Sequence, residues 1–113
     1  MKLPNLTNAF VEEPKIIDYL LSEEKSGGKS AFFIAFGFSL DKSEILRDAL
    51  LTHARTHEVA RILTTLHGIK YIIEGTLQTP DGRSPRVRSV WIVNAGKEAP
   101  RFVTAYPLEE ISS

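Results

Sequence analysis

The residues with chemistry to offer are three histidines, a set of strand cations and a Thr-x-Tyr pair close to the C-terminus. His53 and His57 are four apart, so on a helix they share a face. Lys70, Arg86, Arg88, Arg101, Thr104 and Tyr106 fall in runs rich in β-branched and aromatic residues, where side chains alternate between two faces. With a suitable strand register, Arg88, Lys70, Thr104 and Tyr106 share one patch. Two cations, a hydroxyl, a phenol and a nearby imidazole suit metal-independent cleavage of an RNA phosphodiester. His53 or Tyr106 would move the proton of the attacking 2′-OH. Arg88 and Thr104 would stabilise the charge of a phosphorane-like transition state. Lys70, Arg86 and Arg101 would hold substrate phosphates.

Each residue also has a plainer reading. His53 suits a partly buried helix position packed on a sheet. Arginine-rich strands are often solvated faces, and Tyr106 suits the edge of a core. His57 falls at a helix end, where a cation complements the dipole, and His67 lies in a turn beside Gly68. The H-A-R-T-H run lacks the glutamate that follows the first histidine of a metalloprotease. No metal site and no cofactor are expected. Gly27-Gly28-Lys29-Ser30 resembles the tail of a phosphate loop, but Glu23 occupies the place of its first glycine and no strand precedes it.

Elements must position these groups. Pro14, with Glu12 and Glu13 before it, opens a short helix to about Ser22, and Ser22–Ser30 is a loop. Ala31–Phe38 is an aromatic run expected as a buried helix ending near Gly37, with its four phenylalanines in the core. Asp41 and Glu44 have the spacing of a capping box. The helix they open should run to about Thr56, with Ile45, Leu46, Ala49, Leu50, His53 and Ala54 on its buried face. From Glu58 the period changes to that of strands. Four are expected: 58–66, 69–77, 86–94 and 101–106. Thr79-Pro80-Asp81-Gly82 is a turn, and Pro107 stops the last strand. In the second strand Lys70, Ile72, Glu74 and Thr76 oppose Tyr71, Ile73, Gly75 and Leu77. In the last, Thr104 and Tyr106 share a face with Phe102. Links this short cannot be parallel crossovers. The expected fold is α+β, with N-terminal helices packed on one face of a four-stranded antiparallel meander.

The 113 residues suffice for one domain, 1–113, with a single core. There is no cysteine, which excludes disulfides, thiolate metal sites and cysteine nucleophiles and fits a reducing compartment. No apolar run is long enough to span a membrane and no secretory leader is evident, so a cytoplasmic protein without membrane contact is expected. Net charge is zero, 14 basic against 14 acidic. Residues 1–50 carry 6 basic and 8 acidic groups, and residues 51–107 carry 8 and 4. A basic C-terminal half favours an anionic ligand such as RNA.

Leu3-Pro4-Asn5, the D-A-L-L-T-H-A-R segment, P-R-V-R-S-V-W-I-V and P-R-F-V-T-A-Y-P together resemble an uncharacterised bacterial domain family, nearly end to end. The helices-then-four-strands order and the terminal T-A-Y-P more loosely resemble toxin ribonucleases of the barnase–EndoU–colicin–RelE type and the RNase A-like contact-dependent toxins. That resemblance implies a catalytic Thr104 and Tyr106, with His53 and Arg88 as the histidine and arginine. It also implies RNA as substrate and a cognate inhibitor protein as partner, in the manner of a toxin–antitoxin pair. The zero net charge departs from the basic balance common among such toxins.

Three readings follow. A ribonuclease toxin requires His53, Arg88, Thr104 and Tyr106 to converge on one phosphate. A non-catalytic interaction module, of immunity or scaffold type, has those cations paired with acids such as Glu74 and an exposed apolar patch around Trp91. Another enzyme would show an enclosed pocket lined by Tyr71, Trp91 and phenylalanines.

Overall fold

The β-branched and aromatic runs form four strands: β1 (Val59–Thr65), β2 (Gly68–Thr76), β3 (Arg86–Asn94) and β4 (Arg101–Pro107). All neighbours pair antiparallel in the order β1-β2-β3-β4. This computed structural model describes residues 1–22 and 29–108. The Glu23 to Gly28 part of the expected loop and phosphate-loop tail therefore lies outside the described residues.

The helical elements all precede the sheet. Lys15–Leu20 is wound as a π-helix, α1 spans Lys29–Ala35 and α2 spans Ser43–Thr56. They cover one face of the sheet. Ile16, Leu20, Phe33, Phe38, Leu46, Leu50 and Ala54 meet Ile73, Leu77, Val87, Trp91, Phe102 and Ala105 in a single core. Trp91 is fully buried, with the Phe102 ring edge-on at 5.4 Å. Burial of such large apolar side chains supplies most of the driving force, about 2 kcal/mol or more for each. The architecture is the expected α+β meander with helices on one face.

Several local expectations are corrected. The capping box does not form: Leu40–Lys42 is a 3-10 turn, α2 begins at Ser43, and no side chain caps either start. A tightened turn supplies what the Asp41 side chain was expected to supply. Ile45 is exposed rather than core, as are parts of Phe32 and Phe36. Pro107 is the last residue of β4, paired with Val87. The N-terminal lead-in contains a 3-10 turn at Leu6–Asn8, and Phe10 then bridges Arg101 in parallel. The amide of Phe10 donates to the Pro100 carbonyl at 3.0 Å, and Phe10 O accepts from the Phe102 amide at 2.9 Å. The outer edge of β4 is thereby capped by a fifth short segment.

Two irregularities set which side chains face outward. The β1–β2 register slips between Val59 and Arg61, and the β3–β4 register slips opposite Val90 and Trp91. Each inserts one residue, so alternation breaks. Phe102 pairs with Trp91 on the helix-covered face, but Thr104 pairs with Val90 and Tyr106 with Arg88 on the open face. Thr104 and Tyr106 therefore do not share a face with Phe102. The slip in β1 likewise turns Arg61 outward, opposite Ile72.

The β2–β3 turn is tied back onto α1. Gly82 N–H donates to Thr79 O at 3.0 Å, as the Thr79–Gly82 turn requires. Arg83 bonds Asp81 and donates to the Ala35 carbonyl at 2.6 Å, its guanidinium lying 4.2 Å from the Phe36 ring centre.

Candidate functional site

On the helix-covered face, α2 delivers His53 into the core, where it is 1% exposed. Its Nε2 lies 3.1 Å from both the Gly75 and Val87 carbonyls. Carbonyls only accept, so Nε2 carries the proton. Trp91 Nε1–H can only donate, and gives its hydrogen bond to Ser89 Oγ at 2.9 Å. The Ser89 hydroxyl then donates to His53 Nδ1 at 3.0 Å. The result is a closed relay from Trp91 through Ser89 and His53 to two strand carbonyls, and it needs the neutral imidazole. Burial pushes the His53 pKa below the usual histidine range, with the nearby His57 adding to the effect against the two carbonyl hydrogen bonds. Both ring nitrogens are occupied, which leaves no lone pair for a metal.

His57 lies just past α2. Its Nδ1–H donates to the His53 carbonyl at 2.9 Å, which satisfies an orphan carbonyl of the last turn. Its ring passes so close to Gly75 that a Cβ there would overlap it. The β2 glycine makes room for an imidazole.

The open face of the sheet carries the charge. Arg61, Lys70, Arg86, Arg88 and Arg101 all project from it, against the single acid Glu74 on the same strands. Among the strand residues, five cations against one acid give this face a charge of +4 in a chain of zero net charge, with Glu12 standing 3.6 Å from Arg101. Val90 and Ile92 on the same face are nonetheless buried, at 8% and 4% exposure.

Within this face one rung is organised. Glu74, Arg88 and Tyr106 are direct cross-strand partners on β2, β3 and β4. Arg88 Nε–H donates to Glu74 Oε2 at 2.6 Å, and a second guanidinium nitrogen pairs with the same oxygen. Arg88 also donates to the Tyr106 hydroxyl at 3.4 Å, and its guanidinium sits 5.6 Å from the Tyr106 ring centre. The bonds to Tyr106 and Glu74 hold the Arg88 pKa further above its ordinary range. One rung along, Thr104 Oγ1 is 3.4 Å from the Tyr19 hydroxyl, which the π-helix brings against β4. The Lys15 ammonium lies 5.4 Å from the Tyr19 ring centre.

Of the residues expected at a site, Arg88, Thr104, Tyr106, Lys70, Arg86 and Arg101 share the open face. His53 does not: it lies on the other side of the sheet, held by three partners. The four-residue convergence on one phosphate is therefore absent. Its physical cause is strand alternation, because Ser89, which faces His53, and Arg88 are consecutive. The pairing of Arg88 with Glu74 is met, whereas the exposed patch around Trp91 is not, since Trp91 is fully buried. The Phe102 ring packs edge-on against it. Arg61, Tyr19 and Phe10 were missed as site neighbours, and Glu74 was named only as the acid of the interaction-module reading. For Glu74 the signal was its alternation with Lys70 and Ile72. For the others the relevant bulge, helix and parallel bridge leave no mark in the local pattern. Among the described residues no helix is long and apolar enough to cross a membrane, and no three His, Asp or Glu side chains gather to hold a metal.

Fold and site together define a small α+β domain with a helix-backed antiparallel sheet and a basic open face. Residues 2–109 match the family described as "Domain of unknown function (DUF6883)", and the chain belongs to that family. Among solved structures it is similar to a chain of the contact-dependent growth inhibition toxin–immunity protein complex from Klebsiella pneumoniae 342. The TM-score is 0.72 at 16% identity, over 93% of this chain and 97% of that one. At that identity the likeness is one of fold. No curated protein matches the chain.

Proposed function

We propose that the domain is a metal-independent ribonuclease of toxin type whose site is the Glu74–Arg88–Tyr106 rung of the open face. The observation that supports it best is this carboxylate, guanidinium and phenol set in register on three adjacent strands, centred in a face of net charge +4. The Glu74 carboxylate is the acceptor for the 2′-OH proton. Arg88 holds the non-bridging phosphate oxygens and stabilises the charge that grows on them. Tyr106 and Thr104 offer hydroxyls to the departing 5′ oxygen and the phosphate. His53 acts at one remove, by fixing Ser89 and the β2 and β3 carbonyls behind the rung. The likeness to a chain from a toxin–immunity complex supports a place in such a system, with a cognate inhibitor protein as partner.

A second reading rests on the closed Glu74–Arg88 pair, which would equally suit an immunity-type or scaffold module that recognises a partner through this face. One experiment separates the two. The purified domain is incubated with total RNA in excess chelator, beside Glu74→Gln and Arg88→Ala. Cleavage that leaves 2′,3′-cyclic phosphate ends and is lost in both variants supports the ribonuclease. Intact RNA with wild type, together with unimpaired growth on induced expression, overturns it in favour of the interaction module.

A further inference from the structure

The parallel bridge does more than cap an edge. In such a bridge the two residues point to the same side, so Phe10 projects from the open face beside Arg101. Its backbone is fixed by two hydrogen bonds, yet the residue is 41% exposed, unusual for a phenylalanine next to a core strand. Phe10 lines a cavity of about 420 Å³. That volume falls in the range of small-ligand sites. Lys97 and Arg101 line it, and so do Asn94 and Glu98.

The polar groups are already arranged. Asn94 Oδ1 accepts from Arg101 Nε and Nη2 at 3.4 and 3.3 Å, while Glu12 lies 3.6 Å from Nη1. The guanidinium is thus held in place before any ligand arrives. Asn94 spends its amide on the His67 carbonyl at 3.3 Å. Lys97 and Arg101 therefore make one wall cationic, Phe10 makes another aromatic, and the Glu98 carboxylate can accept from exocyclic amino groups. A flat π-face beside two cations suits a base with its phosphate. Arg101 is paired with Ile92, four residues along β3 from Arg88, or about 13 Å. The cavity thus lies a few nucleotides along the same face from the proposed scissile phosphate.

We propose that this cavity is a nucleotide subsite, with the base stacked on Phe10 and its phosphate held by Arg101 and Lys97. As a substrate subsite it rests on the ribonuclease reading, but its existence can be tested without cleavage. The isotope-labelled chain is titrated with adenosine 5′-monophosphate and, as a control, with inorganic phosphate, following backbone amide shifts. The nucleotide should shift Phe10, Lys97 and Arg101 and saturate at lower concentration than phosphate. Phe10→Ala should weaken its binding roughly tenfold or more, and Phe10→Trp should restore it. Phe10→Ala should fold, because the bridge is made by backbone atoms. Unchanged affinity in Phe10→Ala, or shifts confined to other residues, overturns the subsite. The two readings fail separately. If nucleotide binds at Phe10 while wild type leaves RNA intact, the subsite stands and the ribonuclease falls. If Glu74→Gln abolishes cleavage while nucleotide leaves Phe10 undisturbed, the reverse holds.

Discussion

Arg88 and Ser89 are consecutive in β3 and serve opposite faces of the sheet. Arg88 gives its guanidinium to Glu74 and Tyr106, while Ser89 gives its hydroxyl to His53. The polar rung of the open face is therefore backed by a buried polar relay one residue away. Each half of that arrangement makes its own prediction.

The Glu74–Arg88 pair is only partly buried, with the Arg88 side chain 35% exposed. Pairs of this kind contribute about 1 kcal/mol or less. Glu74→Gln should accordingly leave the denaturant midpoint almost unmoved. On the proposed ribonuclease reading, loss of its general base should lower RNA cleavage by about 100-fold or more. Equal effects on both would make Glu74 a structural residue.

The His53 relay requires the neutral ring. Unfolded, a histidine titrates near its ordinary value of about 6.5. Folded, burial and the neighbouring His57 push His53 below it. Between the two values the unfolded chain binds a proton that the folded chain does not. This contribution to stability is complete above the unfolded value and is lost as pH falls toward the folded one, by at most about 1.4 kcal/mol per pH unit. Urea titrations from pH 7 to 5, followed by Trp91 fluorescence, should show the decline. His53→Gln, which keeps a donor and an acceptor but does not titrate, should flatten it.

These contrasts mark how far the sequence could be read. The meander, the α2 span and the shared face of Lys70 and Glu74 were legible, because period and turn chemistry are local properties. The position of His53 was legible as a helix residue packed on the sheet. That it and Arg88 are separated by the sheet's thickness depends on docking, which no local pattern encodes. The facing of Arg61, Thr104 and Tyr106 depends on the two register slips, and a single inserted residue reverses every side chain beyond it. Phe10 gains its place only through a bridge to a strand some ninety residues later.

Gly75 offers a test of close packing without backbone strain. A Cβ there would meet the His57 ring. Gly75→Ala should destabilise the domain by about 1–3 kcal/mol. His57→Ala should cost less, since His57 contributes mainly one bond to the His53 carbonyl. In the double variant the space vacated by the imidazole accepts the new methyl, so the combined loss should be smaller than the sum. Strict additivity in thermal or denaturant unfolding would show that the two residues do not compete for the same space.

The charge of the open face predicts how binding responds to salt. Arg61, Arg86, Arg88, Lys70 and Arg101 project together, and only Glu74 on the same strands opposes them. If about four phosphates of a single strand are neutralised, log K for an uncleavable 2′-deoxy oligonucleotide should fall against log salt with a slope of about −3. Arg86 and Arg61 lie outside the Glu74–Arg88–Tyr106 rung, Arg86 opposite Thr76 and Arg61 opposite Ile72. Each single change to alanine should reduce that slope by about 0.7, weakening binding without altering the cleavage rate at saturating RNA. Arg88→Ala should instead lower the rate itself, since in the proposed reaction its interaction strengthens in the transition state. Fluorescence anisotropy over a salt series, run beside single-turnover cleavage, reads both quantities. A slope near zero would mean that the cationic face is not where nucleic acid sits.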